Sequence, residues 1–327
     1  MHLRPTPVYD AYWEFAVKRQ EVFFNRMNGN RFPWTDDIII QKYKFTNAYR
    51  ASDRVSQYLI KNVIYSSEQY SAEDICFRIL LFKLFNKIET WEYLKNELGD
   101  ITFSSYNYDI YDNLLLRKIN NNEKIYSSAY IMPSGKSSFG YDKKHQNNLK
   151  LLELMMRTGL TRKIAYSRNL QELYESLLDY PMLGSFLAFQ FAIDINYSEL
   201  CDFNEKSFVV AGPGAKNGIA KCFPDLNGHK YEDVIKYVAD RQSMEFEKRG
   251  LKFKTLFGRE LQLIDCQNLF CETDKYARVV YPEIKGLNDR KRIKQLYADR
   301  GLDEIRYFYP PKWGINNIVD SFYRSEG

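Results

Sequence analysis

The chain has 327 residues, enough for one large hydrophobic core or two ordinary ones, and its 45% hydrophobic and 27% charged residues are those of a globular protein in water. No uncharged apolar run approaches the length that spans a bilayer, and the start Met1-His2-Leu3-Arg4-Pro5 has no apolar stretch of signal-peptide type. A net charge of +5 and a pI near 8.7 permit contact with nucleic acid without demanding it, while five cysteines without a CxxC pair and three scattered histidines argue against a zinc site and for a reducing, cytoplasmic setting.

Helical spacing of Tyr12, Phe15, Ala16, Arg19, Phe23 and Met27 predicts a helix over 9–27, stopped by Asn28-Gly29-Asn30. A second helix is expected over 45–64, with Arg50, Asp53, Arg54, Gln57 and Lys61 on its polar side. Ser71-Ala72-Glu73-Asp74 has the form of a capping box for a third helix over 75–86, and 91–98 reads as a short fourth. Residues 101–146 are polar, rich in Asn, Ser and Gly, and read as a loop-rich region. Helices are expected again over 148–158, 169–178 and 185–195, then over 231–249, 261–272 and 288–298. The expected fold is mainly α, as two helical lobes with a cleft between them. One lobe takes 1–100 with 225–327, the other 101–224.

Three stretches could carry chemistry. The first, Gly212-Pro213-Gly214-Ala215-Lys216-Asn217-Gly218, reads as a tight turn with bare N–H groups and a lysine, suited to a phosphate. It lacks the Gly-Lys-Ser/Thr of a Walker loop, so a nucleic-acid backbone is a better ligand than a nucleoside triphosphate; an ordinary sharp turn explains it equally well. Gly212, Gly214, Lys216 and Gly218 are its phosphate-binding candidates.

The second is Tyr180-Pro181-Met182-Leu183-Gly184-Ser185-Phe186-Leu187-Ala188, a helix end, a turn and a new helix. It resembles the helix-hairpin-helix of the DNA glycosylase superfamily, with Met182 and Tyr180 in place of the usual glycine and leucine. That likeness makes Gly184 a phosphate contact, and Phe186 fills the position of the lysine nucleophile found in bifunctional members. The acidic turn Asp202-Phe203-Asn204-Glu205 stands where that superfamily keeps a carboxylate, and Asp202 or Glu205 could stabilise charge on a reacting sugar or simply cap the next element.

The third is a polar row at three- and four-residue steps, Asp265, Asn268, Glu272 and Lys275, which could hydrogen-bond a base or form an internal ion-pair row. Earlier in the chain, Asn47 and Arg50 could pair internally or meet phosphates, whereas internal pairing is the safer reading of Asp53.

Taken together, Trp34-Thr35-Asp36, Phe45-Thr46-Asn47-x-Tyr49-Arg50-Ala51-Ser52-Asp53-Arg54, Gly184-x-Phe186-Leu187-Ala188-x-Gln190, Ala211-Gly212-Pro213-Gly214-Ala215 and Cys271-Glu272-x-Asp274-Lys275-Tyr276 resemble the α-glutamyl/putrescinyl thymine pyrophosphorylase family. That family is related to the helical domain of 5-hydroxymethyluracil DNA kinases, and no kinase P-loop accompanies the likeness here. The resemblance implies a helix-hairpin-helix, glycosylase-like fold acting on hypermodified pyrimidines in phage DNA.

The activity expected first is a monofunctional DNA glycosylase that excises a base such as glucosylated 5-hydroxymethylcytosine as antiviral defence. Its catalytic carboxylate would be Asp202, Glu205 or Asp265. The flipped base would meet Tyr130, Phe139, Tyr141, Phe186 and Gln190, with Asn47, Arg50, Asn268, Glu272 and Lys275 as further substrate contacts. The partner is double-stranded DNA with modified bases; no cofactor, metal, membrane or obligatory protein partner is expected. Two alternatives stand beside it: a transferase modifying 5-hydroxymethylpyrimidines in DNA, and a non-catalytic module that binds modified DNA.

Overall fold

A computed structural model describes residues 3–298 and 306–324. Helices dominate, and no strand occurs among the described residues; two isolated bridges, Tyr43 with Leu296 and Leu256 with Arg259, are the only sheet-like pairings there. In chain order the first helices are α1 (Pro7–Met27), α2 (Ile38–Lys42), α3 (Arg54–Tyr58), α4 (Ala72–Phe85), α5 (Ile88–Leu98) and α6 (Tyr108–Asn120). There follow α7 (Lys136–Phe139), α8 (Lys144–Arg157), α9 (Leu160–Tyr166), α10 (Leu170–Leu178) and α11 (Ser185–Asn196). The last are α12 (Pro213–Cys222), α13 (Tyr231–Asp240), α14 (Gln242–Lys248), α15 (Leu263–Val280) and α16 (Asn316–Arg324). None among the described residues is long and apolar enough to cross a membrane.

The chain divides into two compact units. The first takes Met1–Asp53, Glu205–Tyr307 and Ile315–Gly327, the second Arg54–Asn204 and Phe308–Gly314. Both are therefore discontinuous, with breaks after Asp53 and Asn204 where the sequence placed them near 100 and 224.

The first unit is built around α15, whose Leu263, Ile264, Cys266, Leu269, Phe270 and Ala277 are all buried. It packs on α1, α12 and α13. Tyr12 of α1 lies 4.4 Å, ring to ring, from Phe270. The stretch 212–218, expected as a tight turn, is the first two turns of α12, with Pro213 at a position where its missing N–H is no loss. Its glycines serve packing. A Cβ at Gly218 would stand 2.0 Å from the carbonyl oxygen of Phe270, and one at Gly214 2.3 Å from Cys271 Sγ. Only glycine lets α12 lie this close to α15.

The second unit centres on α4, apolar on every side and buried from Ile75 to Phe85, as a helix inside a core must be. The expected cap is present: Ser71 Oγ accepts the Asp74 N–H at 3.1 Å. Around α4 pack α8, α9 and α11. Two cations survive in its buried run. Arg78 donates to the carbonyls of Val63 (3.0 Å) and Ile101 (3.1 Å) and lies 3.9 Å from the Tyr70 ring centre. Lys83 pairs with Asp194 of α11.

Four expected elements differ in the structure. The helix over 45–64 is replaced by an irregular segment, a 3-10 turn at Arg50–Ser52, the short α3 and a π-helical turn at Leu59–Ile64. The side chains explain it: Asn47 Nδ2 donates to the Ser52 carbonyl (2.7 Å) and Asp53 Oδ1 accepts the Asn47 N–H (2.8 Å), offering the backbone partners other than a helix. The helix expected over 288–298 is extended chain, because its backbone pairs with 42–44: Lys44 N–H donates to Gln295 O, and Tyr297 N–H to Lys42 O. The loop-rich 101–146 contains α6, capped by Asn107. The single helix over 231–249 is broken at Arg241, where the Gln242 side chain donates to the carbonyls of Ala239 and Leu261.

Candidate functional site

The irregular segment 45–53 turns a row of polar groups toward α15 and α1 within the first unit. Thr46 N–H donates to Glu272 Oε2 (3.1 Å), and Glu272 pairs with Lys275 one turn on (2.5 Å). Arg19 of α1 donates from Nε to Thr46 O (2.9 Å) and from its terminal nitrogen to Asn47 Oδ1 (3.1 Å). Arg50 N–H donates to Asp265 Oδ1 (2.8 Å), while Asp265 Oδ2 accepts the Gln262 N–H (2.9 Å) and so caps α15. Glu205 pairs with Arg259 at 2.7 Å. With Asp53, whose Oδ1 holds the Asn47 N–H, these make a row of four carboxylates and four cations in which every group is partly or wholly withdrawn from water.

Two of the carboxyls are displaced toward neutral pH. Burial, with Glu205 adding repulsion, pushes Asp265 up to about 7 despite the two N–H groups it accepts. Burial and the charge of Glu272 push Asp53 up to about 7 against the pull of the Asn47 N–H, Arg19 and Arg50. The two differ in what they can do. Both oxygens of Asp265 hold backbone N–H groups and only 4% of its surface is exposed, which makes it a positioning group for Arg50 and α15. Asp53 is half-buried, and its Oδ2 accepts no hydrogen bond among the described residues. A carboxyl that titrates near 7 with an open oxygen can take or give a proton. Beside it, Thr46 Oγ1 is buried without a partner among the described residues, a polar atom that costs about 1–3 kcal/mol unless something covers it.

The remaining expected residues fall as follows. Asp202 belongs to the second unit, with 81% of its side chain exposed and Lys312 Nζ 3.7 Å away; so solvated a carboxylate is poorly suited to stabilising charge. Tyr130, Phe139, Phe186 and Gln190 also lie in the second unit. Tyr130 has φ +53 and stacks on Phe186 at 6.0 Å, with Lys83 Nζ 4.1 Å from its ring centre. Gln190 is wholly buried on α11, and Phe139 and Tyr141 lie at and beyond the end of α7. In the first unit Asn268 accepts from Gln267, and Lys216 lies 5.7 Å from the Tyr231 ring centre. Gly184 caps α11 with open space around it, and Gly212 caps α12. In the turn between α10 and α11, Met182 adopts φ +68, the left-handed geometry that favours the glycine it stands in for.

Sequence reasoning missed four partners. Arg259 has no pattern that marks it, and Arg19 falls in the apolar row of the first expected helix, where a buried cation needs a partner. Lys83 and Asp194, 2.6 Å apart and each 2% exposed, left a readable signal: single charges inside the apolar runs Ile79–Phe85 and Phe189–Ile195.

The sequence as a whole has relatives among known proteins. The chain belongs to the family of 5-hmdU DNA kinase helical domains, whose model matches residues 6–286. Over 335 aligned positions it is 25% identical to the 5-hmdU DNA kinase of Bacillus phage SP10, an alignment covering 95% of this chain and 51% of that protein. The chain thus spans about half the length of this relative. No solved structure matches it. These findings correct the expected glycosylase activity: the family and the relative are named for a kinase acting on a modified base of DNA, and phosphoryl transfer leaves the base on its sugar where excision removes it.

Proposed function

We propose that the chain recognises 5-hydroxymethylated pyrimidine in DNA, 5-hydroxymethyluracil foremost, and takes part in group transfer at its 5-hydroxymethyl substituent. The observation that carries this reading is the family match over 6–286, joined to a relative named for that base.

The cluster of the first unit suits such chemistry. A hydroxymethyl oxygen becomes a nucleophile by losing its proton as it attacks an electrophile, and Asp53, titrating near 7, is the group we assign to accept that proton. Lys275 supplies positive charge for an anionic group on the reacting partner, and Asn47 and Asn268 supply amides for a base edge. Glu205 holds Arg259, and Asp265 holds the Arg50 backbone. Lys216 and the start of α12 at Gly212 are assigned to backbone phosphates.

The test is a binding and product assay on matched duplexes carrying thymine, 5-hydroxymethyluracil or 5-hydroxymethylcytosine at one position. Preference for 5-hydroxymethyluracil over thymine by about tenfold is expected, lost in Asp53→Asn and Asn268→Ala. Mass analysis of digested nucleosides would find the base retained. Equal affinity for all three duplexes, or release of free base, refutes the reading.

A further inference from the structure

In the first unit, the surface also carries an aromatic group beside a basic run. Phe32 and Tyr297 stack, with centres 5.9 Å apart and planes 12° off parallel, and Trp34 stands edge-on to both at 5.3 and 6.0 Å. The group is held in place. Trp34 Nε1 donates to Asn30 O (2.6 Å), its carbonyl accepts from Asn25 (2.9 Å), and the Arg26 guanidinium lies 5.0 Å from its ring centre. Tyr297 arrives from the other side on a segment tied down by its N–H bond to Lys42 O and by the Tyr43–Leu296 bridge. Phe32 nevertheless keeps 44% of its surface exposed. A large aromatic held rigid and half in water is poor use of a residue that could fill a core, and suits a partner with a flat apolar face.

The approach to this group is positive. Arg290, Lys291, Arg292 and Lys294 are all exposed on the segment leading to Tyr297, and the Arg278 side chain fixes that segment by donating to Arg292 O (3.1 Å). Rings beside a row of cations complement a chain of phosphates carrying unstacked bases. In a duplex the base faces are covered, so the rings would find no partner there.

We propose that this surface docks an unpaired DNA strand, with a base stacked on Phe32 and phosphates held by Lys291 and Lys294. The inference rests on the reading of the chain as a DNA-acting protein and adds the strandedness of its substrate. It gives the protein a hold on a strand that has been opened, so that a modified base can be presented out of the duplex.

The test uses the whole chain and a fluorescein-labelled oligothymidylate, read by fluorescence anisotropy, with a duplex of equal length as competitor. Phe32→Ala should weaken oligothymidylate binding about tenfold and leave duplex binding within twofold. Lys291→Glu with Lys294→Glu should weaken it further and flatten the slope of log affinity against log salt by roughly 1.4. These side chains are exposed, so unchanged melting temperatures would certify the fold. Failure of the wild-type chain to bind oligothymidylate, equal or tighter binding of the duplex, or no loss in Phe32→Ala overturns the inference. Since this oligonucleotide carries no modified base, binding through Phe32 without selectivity for 5-hydroxymethyluracil would uphold the surface and refute the proposed function. Selectivity without a Phe32 effect would do the reverse.

Discussion

Gly218→Ala adds one methyl group to a helix, a change that by propensity alone favours folding by about 1 kcal/mol. At this position the methyl has nowhere to go. The Cβ would stand 2.0 Å from the Phe270 carbonyl oxygen, 2.8 Å from its carbon and 3.3 Å from its Cα, all of them backbone atoms of α15 that cannot rotate aside. Restoring ordinary contact requires α12 and α15 to part by about 1 Å or more, which loosens the whole seam, including the approach of Gly214 to Cys271. We expect a net loss of about 3 kcal/mol, and with roughly 2 °C per kcal/mol for a chain of this size, a fall of about 6 °C in melting temperature. Gly184→Ala is the control: nothing lies within 4 Å of its Cβ and its φ is −74°, so only a small capping loss is expected. Circular dichroism melts of both variants decide the matter. A Gly218→Ala protein that melts with the wild type but has lost affinity for DNA would refute the packing argument and return this glycine to a phosphate-gripping role.

The Lys83–Asp194 pair offers a second check. Asp194→Ala strands a charge between α4 and α11 and should cost about 3–5 kcal/mol, whereas Lys83→Met with Asp194→Leu should recover most of that; equal stability of the single and double variants would contradict it. The raised carboxyls give a pH prediction of unusual sign. Asp53 and Asp265 have folded values near 7 against about 4 unfolded, so the folded state binds more protons between those limits. Their contribution to stability is full below pH 4 and lost as pH rises through 7, with a slope of at most about 1.4 kcal/mol per pH unit for each group, and less for the half-buried Asp53. Denaturant midpoints at pH 5.5, 6.5 and 7.5 should fall less steeply in Asp53→Asn than in the wild type, and an identical slope in both would show that Asp53 does not titrate in this window.

Much of the helical content was legible because it rests on local rules. Ser71 accepts the N–H group that sequence pattern assigns to a cap, and the apolar spacing of α1 matches the face it buries. The misreadings of single site residues share one cause, a partner that lies far away in sequence. Glycines at 214 and 218 look like a turn when no neighbour is in view; with α15 against them they become a packing surface. Asp265 looks catalytic on a polar stripe, until the Arg50 N–H, 215 positions earlier, is found on its second oxygen. Conversely Asp53, read as one half of an internal pair, keeps an open oxygen and a displaced titration that only its burial beside Glu272 produces.

By itself the sequence determined a mainly helical chain, the placement of several of its longer helices, and kinship with the 5-hmdU DNA kinase helical domains, because propensity, capping and ordered motifs are written in adjacent residues. The tertiary structure alone decided which carboxyl caps a helix and which stays open, and which glycines face a helix instead of a ligand. Those properties are set by desolvation and close contact between segments from about fifty to some two hundred residues apart, and neither exists until the chain has folded.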